Sequence, residues 1–412
     1  MDVVAAYLRL GLAFDRLSRG FVDAWTGPDA LRTEVESGPV PRPDDLRRRA
    51  AELRGELPSA GLPPARSRWL AGQLVGLECS ARVLDGQRVG YVDQVEAYFQ
   101  VRPELGDEAT YADAHAELDA LLPGGGPLVE RYTAYRDHYC VPVERLAEAV
   151  REVSTLLRER ARARFALPEQ EVVDYEVVTD RPWAGFNYYL GGFRSTVAIN
   201  ADLPVGLGSL PALVAHESYP GHHTERCRKQ VAQADLPEYD LWLVNTPENL
   251  MAEGLADLGL AGLDLLEWGP VLGELYADLG IAYDGERGQR IARAAAPLGG
   301  VRQDAALLLH DRGAGVERAQ DHLARWALQS PDRAAKTLSF LTDPLWRAYI
   351  TTYVEGERLL SRWLSARPAD VPVEQRFVRL LDEQLTPAAL REELQVHPSV
   401  PRVGPAPGPD AP

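Results

Sequence analysis

From Val3 to about Arg164 apolar residues recur every three or four positions with charged residues between them, the period of helices that bury one face. Thr26-Gly27-Pro28, Gly38-Pro39, 58–64 and 123–127 punctuate this stretch. The pattern predicts helices over 66–84, 111–122 and 143–165, the last burying Leu146, Val150, Val153, Leu156 and Leu157. Between 171 and 200 the period shortens. Residues 172–178 are rich in β-branched side chains and 195–200 alternate, so two short strands are expected. The strand ending at Asn200 either offers a free edge to an extended peptide or closes one side of the core. Helical periodicity then returns. Ser209-Leu210-Pro211 and Thr246-Pro247-Glu248 read as starts with a hydroxyl cap and an early proline, and further helices are expected over 268–298, 302–310, 315–329, 330–341 and within 343–363. The expected fold is mainly α, with a small β element and a deep cleft. Regions 1–165 and 166–398 form one continuous globular unit, followed by a disordered Pro/Gly-rich tail over 399–412.

The densest chemistry lies at Leu213 to Arg226, L-V-A-H-E-S-Y-P-G-H-H-T-E-R, which holds three of the eight histidines. A histidine followed directly by glutamate on a helix suits zinc hydrolysis, in which neutral imidazoles hold Zn²⁺ and the glutamate acts as base. In the usual H-E-x-x-H the second histidine is one turn on. Here Pro220 occupies that place. It has no amide proton and its ring collides with the carbonyl four residues back, so the helix of His216 and Glu217 must kink or stop near Tyr219, with Gly221 loosening the chain. The second ligand is His222 or His223, brought back by the break. His222 is preferred, with His223 supporting it.

H-E-S-Y-P-G-H-H resembles the H-E-x-x-P-G-H-H signature of the bacterial domain-of-unknown-function family 885, grouped by similarity with gluzincin-type zinc metallopeptidases. G-F-V-D-A-W-T-G-P near the amino terminus and Y-V-E-G near residue 353 resemble that family too. The resemblance implies a helical metallopeptidase-like fold, with the β element beside the zinc helix, and a third ligand from a later helix. Glu253-Gly254-Leu255-Ala256 matches the family's E-G-x-A setting and makes Glu253 that ligand. Glu248 competes, with first-turn complement to the helix dipole as its ordinary role. Asp257, one turn after Glu253, either accepts a hydrogen bond from a ligating imidazole or is an ordinary surface acid, the first being preferred. Tyr349 and Tyr353 share a helix face, and Gly356 permits close approach of a backbone or ligand. Tyr353 is the candidate donor to a developing oxyanion. Arg347 reads as a fork for a substrate carboxylate or as a surface salt bridge. Asn200 and Tyr349 complete the residues expected to support the site or touch substrate.

Composition narrows the choice. A formal charge of −17 disfavours nucleic acid and anionic membranes as partners, since both are bound by basic patches. No apolar run is long enough to span a bilayer, and the start M-D-V-V-A-A-Y has no basic region or cleavage site, so a cytoplasmic protein is expected. Cys79, Cys140 and Cys227 suggest neither a disulfide framework nor a thiolate site. His115, His138, His310 and His322 read as structural. The expected activity is Zn²⁺-dependent hydrolysis of an amide bond in a short peptide or small amide. The alternatives are a structural metal site closed by both His222 and His223, or a metal enzyme acting on a small metabolite.

Overall fold

The computed structural model describes residues 2–181, 183–368 and 370–396, so the expected disordered tail lies outside the described residues. The chain is mainly helical. The longest helix, Val143–Phe165, has the expected bounds and buries Leu146, Val150, Val153 and Leu157, while Leu156 is only partly covered. Its acidic start and basic end suit the helix dipole, and Ala166 stops it in the left-handed region at φ 45°. The stretch 268–298 is not one helix. Gly280, at φ 69°, turns the chain between Trp268–Asp278 and Gly285–Ala295. Ser330 caps its helix as expected, accepting from the Arg333 amide at 3.5 Å. Ser209 and Thr246 do not: their hydroxyls donate to the carbonyls of Gly206 and Leu243 in the preceding turns.

Five short strands stand among the described residues: β1 (Val22–Trp25), β2 (Val172–Val178), β3 (Gly185–Gly191), β4 (Arg194–Asn200) and β5 (Leu241–Leu243). β1 pairs antiparallel with β5, and the other three form a sheet in the order β2-β4-β3, with β2 parallel and β3 antiparallel to β4. This corrects the expectation for the strand ending at Asn200, which is central with both edges used. The free edges of this sheet are those of β2 and β3. Gly191, Gly192 and Phe193, all at positive φ, make the turn that folds β3 back onto β4.

One helix organises the site. All eleven residues of Pro247–Asp257 are buried. It crosses Ile350–Ser365 at two glycines: a Cβ on Gly254 would lie 2.5 Å from the Gly356 carbonyl carbon, and one on Gly356 would lie 2.8 Å from the Leu250 oxygen. Any side chain at either position would force the helices apart, so the crossing brings Glu253 to Tyr349. No helix among the described residues is long and apolar enough to cross a membrane.

Candidate metal centre

The motif forms two helices, Leu210–Glu217 and His222–Ala232. The first ends at Glu217, two residues before the expected kink, and the Tyr219–Pro220 bond is cis. Gly221 does more than loosen the chain. Its amide donates to the Ala215 carbonyl at 2.9 Å, and a Cβ there would fall 1.9 Å from the His216 oxygen. The turn is therefore folded tightly over the end of the first helix. It places His222 in the first turn of the second helix, with its ring edge-on to His216 at 4.7 Å between centroids.

Three residues converge. His216 Nε2 lies 3.3 Å from Glu253 Oε2, His222 Nε2 lies 3.5 Å from Glu253 Oε1, and the ligand atoms of all three fall within 4.8 Å of one another. Two donors about 2.0–2.1 Å from one zinc ion at a tetrahedral angle lie about 3.3–3.4 Å apart, so these separations fit a shared cation. Glu253 Oε2 is buried without a hydrogen-bond donor, a costly condition that a bound cation relieves. Each surrounding contact orients a member of the set. Asp257 Oδ1 meets His216 Nδ1 at 2.9 Å, which leaves Nε2 for the cation, and the Tyr349 hydroxyl donates to Glu253 Oε1 at 2.8 Å. The Tyr353 ring lies tilted to that of His216, 6.2 Å between centroids.

Glu217 is buried beside the trio. β3 runs over it: Asn187 Nδ2 donates to the Glu217 carbonyl at 2.7 Å, and a Cβ on Gly185 would lie 3.2 Å from Glu217 Oε1. Burial raises the Glu217 carboxyl above its ordinary range, and likewise Asp257. Burial opposes charge on His216 and His222 too, yet Asp257 and Glu253 outweigh it for His216, and Glu253 for His222, so both imidazoles are raised. Glu253 itself is driven down: burial works against its charge and the two imidazoles overcome it.

His223 points elsewhere. Its Nδ1 meets Ser195 Oγ at 2.8 Å and its Nε2 meets Glu171 Oε2 at 3.1 Å. Glu171 also accepts from Arg158 and Arg162, both at 2.7 Å, and from the Tyr219 hydroxyl at 2.6 Å. This hub ties the longest helix and the sheet to the Pro220 turn. Asn200 is likewise structural, donating to the carbonyls of Arg181 and Trp183. Among the described residues Arg347 makes neither a salt bridge nor a hydrogen bond to the trio; it donates to the Gln94 side chain. Glu248 lies in the first turn of its helix, buried, where it accepts from Trp69 Nε1 at 2.8 Å and pairs with buried Lys229. His115 and His310 each bond a backbone carbonyl.

The Glu171 hub carries a prediction. Burial disfavours its charge, but His223, Tyr219 and the two arginines bring it from 4.5 to about 2. A carboxyl depressed on folding stabilises the fold above its unfolded range, and that stability disappears as pH falls toward the folded value. Wild-type stability should therefore drop by about 3 kcal/mol between pH 4.5 and 2 from this group alone. Glu171→Gln should lower stability by a similar amount at pH 7 and flatten the acid limb of a urea-melt series. An unchanged acid limb would remove Glu171 from this role.

Two partners of the site carried no sequence signal of their own. Glu171 directly precedes β2, where no periodicity marks it. Asp23 lies in four-residue β1, too short for alternation to register, and was touched only by the resemblance of G-F-V-D-A-W-T-G-P.

No protein-family model matches the sequence, and no curated protein matches it. Among solved structures, a candidate lipoprotein from Colwellia psychrerythraea is 17% identical at a TM-score of 0.53, covering 85% of this chain and 66% of its own. The chain thus spans just under two thirds of that protein. A candidate lipoprotein of unknown function from Shewanella oneidensis is 13% identical at 0.52, over 89% of this chain and 76% of that one. Both likenesses show the fold. An M32 carboxypeptidase from Deinococcus radiodurans R1 is 13% identical over 99% and 96% of the two chains, at a TM-score of 0.42 too loose to build on.

Proposed function

We propose that the protein is a zinc-dependent hydrolase cleaving amide bonds in short peptides, with Zn²⁺ held by His216, His222 and Glu253. The observation that carries this reading is the convergence of those three donors into one zinc-sized space with Glu217 directly after the first of them. When bound, the ion supplies Lewis acidity to a carbonyl and acidifies water. Glu217 takes the proton of the attacking water on its carboxylate and gives it to the nitrogen of the leaving amine. Tyr353 donates its hydroxyl to the oxygen that becomes negative, since that of Tyr349 is committed to Glu253. The free edge of β3, which passes over Glu217, is positioned to pair with an extended peptide. Short substrates are favoured because the trio is nearly closed: side-chain exposure is 6% for His216, 6% for Glu253 and 16% for His222.

The commitment of His223 to Ser195 and Glu171 supports an open three-ligand site over a closed structural one. His222→Ala should abolish measurable zinc binding, whereas His223→Ala should weaken it by roughly 10- to 100-fold through the turn it pins. Zinc titration of both proteins separates the roles, and a greater loss for His223→Ala would reverse them. The function itself is tested by metal analysis and a panel of dipeptides and tripeptides, assayed with and without a chelator. Chelator-sensitive cleavage is expected. A zinc-loaded protein that cleaves none of them would overturn the reading.

A further inference from the structure

Four carboxylates gather at the site: Glu217, Glu253, Asp257, which meets His216, and Asp23, which faces Arg226 one turn after His222. Three are used, as base, ligand and partner of His216. Asp23 is not. It stands on β1 with its side chain 27% exposed, more open than any of the trio or Asp257. Its one partner among the described residues is Arg226, with Nη2 at 3.6 Å, beyond hydrogen-bonding distance. Arg226 is buried and stacked on the face of Trp242, so packing holds the cation in place and it cannot close over Asp23. An ionised carboxylate has about four acceptor sites, and no side chain or amide among the described residues donates a hydrogen bond to those of Asp23.

From this we infer that Asp23 anchors a free α-ammonium group, which makes peptides with an unblocked amino terminus, dipeptides and tripeptides foremost, the substrate class. The inference rests on the hydrolase reading above. Chain geometry gives it reach. In a peptide cleaved after its first residue, the terminal nitrogen lies about 2.5 Å from the reacting carbonyl carbon. A hydrogen bond of about 2.8 Å then puts the anchoring carboxylate immediately beside the catalytic residues. Asp23 is held next to the site by geometry: its carboxylate lies 3.6 Å from Arg226, which follows His222 by one turn on the same face of their helix. An ammonium ion also supplies the donors that Asp23 lacks. Acetylating the amino terminus removes the charge and adds bulk where the anchor stands.

The test compares a free dipeptide, its N-acetyl form and its C-terminal amide. Turnover is measured with zinc-loaded wild type and Asp23→Asn, and binding is measured by calorimetry with zinc-loaded Glu217→Gln. Wild type should prefer the free amine over the acetylated form by roughly 10- to 100-fold, the worth of a charge-assisted hydrogen bond. Asp23→Asn should lose that preference through KM, with kcat and zinc content little changed, and Asp23→Glu should restore part of it. Equal cleavage of the acetylated peptide by wild type would overturn the inference, whatever the variant's folding. So would a preference that survives Asp23→Asn, or one that follows the C-terminal carboxylate, which would hand recognition to Arg226. Cleavage of no peptide would sink the hydrolase reading instead. The anchor would then stand or fall on whether the Glu217→Gln protein binds the free dipeptide more tightly than the acetylated one.

Discussion

Glu217→Gln is expected to bind zinc as tightly as the parent protein and to lose peptide hydrolysis by roughly a thousandfold, within the range for removing a general acid–base group. The two side chains have the same size, so contact with β3 at Gly185 persists, and the Asn187 bond goes to the Glu217 backbone, which the change does not touch. What is lost is the capacity to accept a proton. Zinc stoichiometry and steady-state turnover on the same preparation give the two readouts. Normal metal with near-normal turnover would move the base elsewhere.

Gly221→Ala should have the largest effect on the fold of the site. The constraint on Gly221 is one of contact. The added methyl would sit 1.9 Å from the His216 oxygen and 2.5 Å from that of Ala215, both backbone atoms that cannot rotate away. Relief requires lifting the turn off the first helix, which breaks the Gly221 amide bond to Ala215 and carries His222 away from His216. We expect a loss of at least about 3 kcal/mol in urea melts, at the upper end for forcing a methyl into packed space, and zinc affinity weaker by a hundredfold or more. Gly299→Ala, where the methyl would meet nothing within 4 Å, should be nearly neutral and serves as control. Parent-like stability and zinc binding in Gly221→Ala would show that the turn is not so tightly packed.

The contrast between these two residues marks what the sequence made legible. Glu217 is readable because its meaning lies in its neighbour, His216. Gly221 reads from sequence as slack, because the carbonyls it must clear are brought to it only by the fold. Pro220 announces that the helix breaks, but which histidine returns depends on where the chain resumes. The Glu171 hub, assembled from residues 158 to 223, holds His223 away from the trio. Long periodic elements such as Val143–Phe165 were legible to the residue, whereas β3, with glycines at both ends, was not. With β3 unread, a free edge on the strand ending at Asn200 stayed one of two open readings. Arg347 and Asn200 looked functional by residue type, yet both satisfy local polar groups in the fold.

The central claim is that His216, His222 and Glu253 together hold one zinc ion, and X-ray absorption at the zinc edge on the loaded protein tests it most directly. The account predicts one equivalent of zinc per chain, with two imidazole nitrogens and carboxylate or water oxygens at about 2.0–2.2 Å and no sulfur. Protein that retains no zinc after dialysis, or a shell containing a third imidazole or the thiolate of Cys227, would contradict it.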